Sequence, residues 1–458
     1  MATSDTINPT TGDVIETYTL LSSGEAGDIV ERCHDAFEQW RARPLAERAG
    51  VARRIGELLR ERVDELTPMM TDEMGKTLRQ AKQEVLLCAQ ICEWTADNAE
   101  SQLADEERDL DDGRAIVTYQ PMGVILGIQP FNFPIYQALR FSIPSLVAGN
   151  TVLLKHAHTV WGTALALERL YRDAGVPDDA FRVLLVDTEV VTGLIGHELV
   201  RGVTLTGSPT AGRSVAGEAG RHLKKTVMEL GSNDAYLVLS DADLDLAVKT
   251  CVAARIVNNG QTCVAAKRFV VVDAVYEQFR DAFVDAMRDV VVGDPRDQAT
   301  RLGPLAREDL RDTLHSQVTD SVDAGATLAM GGRPLDRPGW FYEPTVLEDL
   351  APGMPAYDDE LFGPAASLIR AADDDDAMRL ANDSRFGLGG GIFSRDEAGA
   401  VELARTRFDT GMVNVNGYHL AQPNLPFGGV KDSGWGREHG GFGIREFVNV
   451  KSVMVSER

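Results

Sequence analysis

The chain has 458 residues, of which 44% are hydrophobic and 25% charged, as expected of a globular protein with two or three domains. It carries 46 basic and 70 acidic residues, and this formal net charge of −24 argues against nucleic acid as a partner. No run of about 18 apolar residues occurs, and MATSDTINPTTGD at the N-terminus has neither a basic start nor an apolar core, so no membrane span and no signal peptide are expected.

The first hundred residues predict helices. Apolar residues recur with helical spacing over 24–66, and the pattern continues over 67–100. The acidic stretch ADEERDLDDGR then interrupts it, and AIVTYQPMG reads as a strand.

Strands and helices alternate after that point. Apolar strands are predicted at 123–128, 151–155, 181–186 and 202–207, with helices at 135–148, near 160–174 and from about 210. All-apolar strands separated by helices indicate a parallel sheet covered on both faces, which is the class of mononucleotide and dinucleotide folds.

A second α/β series follows. Strands are predicted at 235–240, 267–272 and 389–394, with a long helix near 274–291. The last segment, 447–457, reads as an edge strand. The expected fold class is therefore α/β with two such units.

Cys263 is the first candidate for chemistry. It follows a Gly-Gln-Thr turn and sits among small and polar residues, whereas buried structural cysteines usually lie among large apolar ones. This setting favours presentation of a reactive thiol, although one cysteine without partners proves little.

Four further motifs could supply partners. Asn132, in QPFNFP, could donate a hydrogen bond to an oxyanion, or could simply bond to its own turn. Glu229, between Met and Leu, could be a general base with a raised pKa, or half of a salt bridge. Gly207 is the second residue of TGSPTAG, which could bind phosphate at a helix start or be an ordinary turn. Glu360, in DDELFGP, could bind a pair of hydroxyls or belong to a surface turn.

Together these motifs resemble the aldehyde dehydrogenase superfamily. The matching segments are PFNFP, TGSPTAG, ELGSN, GQTC, ELFGP and PFGGVKDSGWGRE, and the resemblance runs from residue 7 to residue 453. Glu229 and Cys263 lie 34 positions apart, which is the family's interval. Several motifs in a fixed order make the resemblance specific.

The resemblance implies a mechanism. Cys263 would attack the aldehyde carbon, and Asn132 with the backbone N–H of Cys263 would hold the oxyanion. Hydride transfer to a nicotinamide would leave a thioester, and Glu229 would activate the water that hydrolyses it. Glu438, in GWGRE, matches a position proposed to relay protons.

The resemblance also implies a cofactor cleft for NAD or NADP. Lys155 matches the lysine at the adenosine ribose, Ser208 with Gly207 the pyrophosphate site, and Glu360 the nicotinamide ribose ligand. The remaining positions that match the cleft are Ile128, Pro130, Phe131 and Phe362. His158 stands where the family often has a glutamate that binds the adenosine ribose, so a 2′-phosphate should be better tolerated. His156 and His158 form an H-x-H pair, but without a third ligand nearby no metal site is expected.

The substrate is the harder question. LLKHA, LGPLAREDLRD and ANDSRFGL resemble bacterial succinate-semialdehyde dehydrogenases, and Arg140 matches an arginine that binds the substrate carboxylate there. Arg140 could instead pair with an acidic neighbour. Val257 replaces a second arginine found in some of these enzymes, and whether Arg255 substitutes for it is open.

Other functions stay open. The same chemistry could act on an aliphatic, aromatic or sugar-derived aldehyde, and a CoA-acylating enzyme or a non-catalytic binding protein are further alternatives. Intact Glu229 argues against CoA acylation, and intact Cys263, Glu229 and Asn132 argue against a protein without catalysis.

The family's arrangement implies domain bounds and assembly. Residues 1–100 and 122–229 would form a Rossmann-like dinucleotide-binding domain, 230–430 the catalytic domain, and 101–121 with 440–458 the oligomerisation arms. A homodimer or homotetramer would follow.

Cysteine usage and charge suggest a habitat. The five cysteines are scattered and odd in number, which favours a reducing, cytoplasmic location. Only nine of the 46 basic residues are lysine. The acidity and the scarcity of lysine suggest a salt-rich cytoplasm, where ions screen the self-repulsion of the chain, although an ordinary acidic enzyme is the alternative.

Overall fold

The computed structural model describes residues 2–456. Within that range the helices are α1 (Ser23–Arg41), α2 (Leu45–Glu61), α3 (Val63–Met74), α4 (Leu78–Gln102), α5 (Pro134–Ala148), α6 (Trp161–Asp173), α7 (Thr188–Gly196), α8 (Pro209–Arg221), α9 (Leu244–Ile256), α10 (Asp273–Arg288), α11 (Glu308–Asp323), α12 (Pro355–Asp358), α13 (Asp374–Asn382), α14 (Glu397–Thr406) and α15 (Gly443–Glu446).

The strands of the same range are β1 (Thr3–Ile7), β2 (Val14–Thr19), β3 (Glu106–Leu110), β4 (Gly113–Pro121), β5 (Val124–Gln129), β6 (Thr151–His156), β7 (Phe181–Val183), β8 (Val200–Thr206), β9 (Lys225–Glu229), β10 (Ala235–Val238), β11 (Arg268–Val272), β12 (Thr327–Met330), β13 (Thr345–Glu348), β14 (Ala365–Ala371), β15 (Phe386–Gly387), β16 (Gly390–Phe393), β17 (Asn414–Val415), β18 (Val430–Lys431), β19 (Gly434–Trp435) and β20 (Val448–Ser456).

Two large sheets organise the chain, and they confirm the expected α/β class. The first has the order β19-β9-β8-β5-β6-β7, and all its pairs are parallel except β19 with β9. The second has the order β12-β13-β14-β11-β10-β16-β17, and only β12 with β13 is antiparallel. The central strands of both sheets are almost wholly buried, because helices cover both faces.

Helices α2, α4 and α5 enclose the largest apolar core beside the first sheet. Trp40, on α1, is fully buried there and its Nε1 donates to the carbonyl of Leu146 at 2.8 Å. This packing fixes α5, the helix that follows the predicted oxyanion donor Asn132.

The elements that the sequence did not predict include the first hairpin and strand β9. The antiparallel hairpin of β1 and β2 has no apolar alternation, since most of its side chains are exposed. Strand β9 has only five residues and carries Lys225 and Glu229 at its ends, so its run of apolar residues is too short to predict a strand. The two-residue strand β19 completes the first sheet beyond β9.

A separate three-stranded sheet joins distant parts of the chain in the order β20-β4-β3. Strand β20 pairs with β4 over nine residues, from Val448 opposite Pro121 to Ser456 opposite Gly113. Most of the side chains of β20 are exposed, and the strand lies at the edge of its sheet. Within residues 2–456, no helix has the length and apolarity needed to cross a membrane.

The two large sheets present the site-bearing loops to each other. Asn132 follows β5, Lys155 lies near the end of β6, and Ser208 follows β8, so all three lie at the carboxyl edge of the first sheet. Cys263 precedes β11 and Glu360 precedes β14, so both lie at the amino edge of the second. The candidate site therefore lies between these two edges.

Candidate active site

The loop that carries Cys263 has an unusual backbone. Asn258 and Asn259 have φ of 55° and 59°, and Gly260 has φ of 75°. A Cβ on Gly260 would lie 2.3 Å from the carbonyl carbon of Gly363, so only glycine fits there. The side chain of Asn259 donates to the carbonyl of Gly75 at 2.8 Å, which ties the loop to the turn between α3 and α4.

Asn132 contacts this loop directly. Its Nδ2 donates to the carbonyl of Gln261 at 3.0 Å, and its own carbonyl accepts from Nδ2 of Asn258 at 2.7 Å. Nε2 of Gln137 donates to the Asn132 side-chain oxygen at 3.2 Å, which orients the amide. The predicted oxyanion donor thus lies against the loop two residues before the predicted nucleophile.

The Cys263 thiol is only partly exposed, and burial raises its pKa to about 12. The positive charges of Arg140 and Lys267 oppose that rise. Nζ of Lys267 donates to the Cys263 carbonyl at 2.6 Å, and the Ser232 hydroxyl donates to the same oxygen. The thiol is therefore protonated at neutral pH, and a base has to remove its proton before it can attack.

Glu229 supplies a buried carboxyl at the end of β9. Within residues 2–456, neither of its carboxyl oxygens has a hydrogen-bond partner. Burial raises its pKa well above the usual range, and the nearby Arg140 guanidinium partly opposes this shift. A carboxyl with a raised pKa and free oxygens is suited to accept and return a proton.

Arg140 and Glu438 form a buried ion pair, and the sequence did not identify Glu438 as the acidic partner. Nε of Arg140 lies 2.5 Å from a carboxylate oxygen of Glu438, and Nη2 donates to the Thr206 hydroxyl at 2.7 Å. The guanidinium also lies 5.3 Å and 5.1 Å from the ring centroids of Tyr136 and Phe427. Pairing with an acidic neighbour, the alternative left open by the sequence, is therefore a contact that the structure contains.

Two nitrogens of this guanidinium, Nε and Nη1, form no hydrogen bond among the described residues, although Nε lies in ion-pair contact with Glu438. Nη1 of Arg140 is buried and has no hydrogen-bond partner in the described part of the chain. Burial raises the pKa of Glu438, while Arg140 opposes the rise. Arg140 also lowers the pKa of both Glu229 and Cys263, so one cation influences the predicted base and the predicted nucleophile together.

Arg255 has a supporting role. Its two Nη atoms donate to the carbonyls of Ala365 at 3.2 Å and Gly260 at 2.7 Å. The side chain is fully buried, and these bonds hold the bend before Cys263. Arg255 therefore does not present its Nη atoms to a substrate in place of the arginine missing at Val257.

The cofactor positions assemble at the edge of the first sheet. Ile128 pairs with Lys155 across β5 and β6, and Pro130 and Phe131 follow directly. Phe131 meets Phe362 edge to face, with ring centroids 6.3 Å apart. Burial and the charge of Arg307 lower the pKa of Lys155, and the residues described offer its Nζ neither a hydrogen bond nor an ion pair.

The pyrophosphate and ribose positions also suit a dinucleotide. Ser208 caps α8, where its hydroxyl accepts from the Ala211 N–H at 3.2 Å, and Gly207 donates to the Glu229 carbonyl at 3.0 Å. Glu360 lies 3.2 Å from Nζ of Lys267, and burial raises its pKa. The helix start, the unpartnered Lys155 and the aromatic pair fit a nicotinamide dinucleotide.

His156 and His158 face different surroundings. The ring nitrogens of His156 lie 3.2 Å and 2.7 Å from the carbonyls of Gln129 and Pro134, and burial lowers its pKa to about 4. His158 is exposed and lines a cleft of about 580 Å³ with Arg307. Among residues 2–456, no group of three histidine, cysteine or acidic residues is placed to hold a metal ion.

Sequence reasoning missed a second buried ion pair, between Lys76 and Glu84. Glu84 accepts from the N–H groups of Ile135 at 2.8 Å and Tyr136 at 3.0 Å, at the start of α5. Nζ of Lys76 lies 4.1 Å from the ring centroid of Phe133. The pair therefore fixes the helix start that follows Asn132, and only a charged pair in an otherwise apolar helical pattern could have signalled it.

Comparisons with known proteins identify the family of this chain. The model of the aldehyde dehydrogenase family matches residues 2–453. A succinate-semialdehyde dehydrogenase [NADP(+)] of Deinococcus radiodurans is 47% identical over 448 residues, covering 98% of this chain and 94% of its own. A succinate-semialdehyde dehydrogenase [NADP(+)] 1 of Mycobacterium tuberculosis is 46% identical over 456 residues, covering 98% and 99%.

Solved structures give the same result. Succinic semialdehyde dehydrogenase from Streptococcus pyogenes, in complex with NADP+, superposes with a TM-score of 0.96 at 36% identity, covering 99% of this chain and 100% of its own. Succinate-semialdehyde dehydrogenase from Burkholderia pseudomallei has a TM-score of 0.96 at 35% identity, covering 100% and 95%.

Proposed function

The chain belongs to the aldehyde dehydrogenase family, and from this premise we propose that it oxidises succinate semialdehyde to succinate with NADP. The observation that carries the substrate is the 47% identity, over 98% of the chain, with a relative named for that reaction. NAD is the alternative cofactor.

We assign the first step to Cys263. Glu229 takes the thiol proton, and the sulfur then attacks the aldehyde carbon to give a thiohemiacetal. The Asn132 amide, held against the nucleophile loop by its 3.0 Å bond to Gln261, stabilises the oxyanion with the backbone N–H of Cys263. When bound, the nicotinamide supplies the acceptor for the hydride that leaves this carbon.

Loss of the hydride leaves a thioester on Cys263. Glu229 first passes the thiol proton to Glu438, and its carboxylate, with both oxygens free among the residues described, then removes a proton from the water that attacks the thioester carbon. The acid leaves and the thiol is restored. Glu438 lies in ion-pair contact with Arg140 and passes the proton onward from Glu229.

We assign the substrate carboxylate to Arg140. Its Nη1 has no hydrogen-bond partner within residues 2–456, whereas Nη2 donates to Thr206 and Nε lies in ion-pair contact with Glu438 without a hydrogen bond. A carboxylate bound there would complete the hydrogen bonding of a buried guanidinium. Glu438 then holds the arginine in place, and the two residues act as one unit.

The test combines product identification with a nucleophile control. Purified protein, in molar KCl, is mixed with succinate semialdehyde and NADP, and reduced cofactor and succinate are measured together. Equal amounts of the two are expected, and Cys263→Ala should form neither. Reduced cofactor without succinate, or unchanged turnover by Cys263→Ala, would overturn the proposal.

We further propose that the arms 101–121 and 440–458 join subunits into a homodimer or homotetramer, with the cofactor domain formed by 1–100 and 122–229 and the catalytic domain by 230–430. Edge strand β20 exposes apolar side chains, including Met454 at 71%, which a partner would cover. Light scattering on the purified protein and on Val450→Lys/Met454→Lys tests this. A double variant with unchanged mass would exclude β20 from the interface.

A cytoplasmic, salt-rich location is part of the same proposal. It is supported by the net charge of −24, by the scarcity of lysine, and by five cysteines that are all free in the structure.

A further inference from the structure

The cleft beside His158 contains a second cation, Arg307, which comes from the opposite side of the candidate site. Arg307 immediately precedes α11, whereas Lys155 lies in β6 of the first sheet and His158 follows that strand. Its guanidinium lies 5.7 Å from the ring centroid of Phe131, a residue of the cofactor cleft. Arg307 and His158 both line the cleft of about 580 Å³.

The positive charges here are incompletely neutralised. Burial lowers the pKa of both Lys155 and His158, and the positive charge of Arg307 lowers both further. Lys155 has no partner in the described range, and burial keeps the His158 ring neutral by lowering its pKa. An anion bound between Lys155 and Arg307 would relieve the repulsion between them.

Four carboxylates also line the cleft, and they limit what can bind. Glu308 and Asp312 pair with Arg311 at 3.2 Å and 2.7 Å, so their negative charges are largely neutralised. Asp5 accepts from the Thr17 hydroxyl at 2.7 Å. Asp309 accepts two bonds from Arg307, at 2.8 Å from Nε and 2.7 Å from Nη2.

The pairing with Asp309 leaves part of the Arg307 guanidinium available for further hydrogen bonds. The Arg307 side chain is 31% exposed, and Nη1 forms no bond in this pair. An exposed ion pair of neighbouring residues contributes little to stability, so its geometry can change at low cost when an anion arrives.

We propose that Arg307 is a specificity-determining residue that binds the 2′-phosphate of NADP in the cleft that it lines together with His158. This inference rests on the proposed function, because it requires that the chain bind a nicotinamide dinucleotide. A guanidinium binds phosphate oxygens through two parallel N–H groups, which an ammonium cannot do. A neutral histidine in place of a carboxylate leaves room for that phosphate.

The test isolates the 2′-phosphate from the rest of the cofactor. Dissociation constants for adenosine 2′,5′-bisphosphate and for 5′-AMP are measured by calorimetry on the full-length wild type, Arg307→Ala and Arg311→Ala. Arg311 lies on α11, pairs with acids of the same cleft and is 5.4 Å from Trp340, so it is the matched control.

Arg307→Ala should weaken bisphosphate binding by about ten- to a hundredfold, the usual range for a lost hydrogen bond to a charged group, and leave AMP within about twofold. Arg311→Ala should change both by less than about threefold. Asp309→Asn, which removes the competing carboxylate, should tighten the bisphosphate.

Three results would overturn the inference: an unchanged bisphosphate affinity in Arg307→Ala, an equal loss for both ligands, or an equal loss in Arg311→Ala. If the wild type bound neither nucleotide, the proposed dehydrogenase function would itself fail. The two failures are therefore distinguishable.

Discussion

The charged groups at the two ends of the candidate site, the end that carries out the reaction and the end that binds the cofactor, lie in different environments. At the chemical end, Arg140, Glu229 and Glu438 are only 1%, 2% and 3% exposed, and they set one another's protonation. At the other end Lys155 and Arg307 are more accessible, and Lys155 has no partner in the described residues. The buried charges that interact with one another inside the protein serve the reaction. The more accessible charges, which are not fully neutralised by other residues, are available to bind a ligand.

The largest effect should come from the buried base. Glu229→Gln keeps the shape of the side chain but cannot accept a proton, so kcat should fall by about 10²- to 10⁴-fold. Because Glu229 serves both the thiol and the water, attack and hydrolysis should both slow, and any thioester that forms should persist on Cys263. Mass spectrometry of the quenched enzyme checks this, and a full-speed Glu229→Gln variant without a thioester would remove Glu229 from the mechanism.

The buried ion pair should dominate stability at the same end. Glu438→Gln leaves the Arg140 charge unpaired, so the free energy of unfolding should fall by about 3–5 kcal/mol. Arg140→Met combined with Glu438→Leu should recover most of that loss. Glu93→Gln, which breaks an exposed pair with Arg60 at 2.9 Å, should cost less than about 1 kcal/mol.

The free energies of unfolding of the wild type, the two single variants and the double variant are measured with denaturant. Equal losses for Glu438→Gln and Glu93→Gln would mean that burial does not distinguish the two pairs, and the contrast between the ends of the site would fail.

The oxyanion donor should show a smaller kinetic effect. Asn132→Ala should lower kcat by about 10²- to 10³-fold, because one preorganised donor is lost. The rate at which iodoacetamide alkylates Cys263 should stay within a few fold, since the thiol itself is untouched. Steady-state and alkylation rates measured together check this, and a parallel loss of both would indicate a disordered nucleophile loop instead.

The raised pKa of Cys263 should make its alkylation rate depend on pH. The change over one pH unit should be smaller than the kinetic effects of the substitutions above. With a thiol pKa of about 12, the thiolate fraction of the free enzyme rises about tenfold per pH unit across the neutral range. Alkylation without cofactor should therefore keep rising from about pH 7 to pH 10. Cys263→Ala corrects for the four buried cysteines, and a plateau near neutral pH would contradict the raised pKa.

The weakest effect expected is the response of the whole surface to salt. With a net charge of −24, the melting temperature should rise by about 5 °C or more between dilute buffer and molar KCl, where the Debye length is about 3 Å. Calorimetry with sucrose of equal osmolality is the control. An equal rise in sucrose would show that screening is not the cause.

The sequence predicted the elements that depend on local pattern. Apolar strands such as β5 and β6 are buried on both faces and therefore read clearly, and motif order placed Cys263, Asn132 and Glu229 in one family. The hairpin of β1 and β2 and the short β9 lacked such a pattern.

Contacts between distant residues were beyond the sequence. Arg140 and Glu438 were each assigned a separate role, and nothing in the local sequence of either residue indicates that they pair. Arg307 was read only as part of a family motif, because its approach to Phe131 arises from the packing of two sheets. Pairing across the fold has no periodicity to reveal it.

The central claim is that the buried cluster at the chemical end binds and oxidises a carboxylated aldehyde. The most direct measurement is kcat/KM of the wild type for succinate semialdehyde and for its neutral methyl ester, with NADP in molar KCl. If Arg140 binds the carboxylate through its free Nη1, the acid should be preferred by about a hundredfold or more. Equal values, or a preference for the ester, would contradict the account.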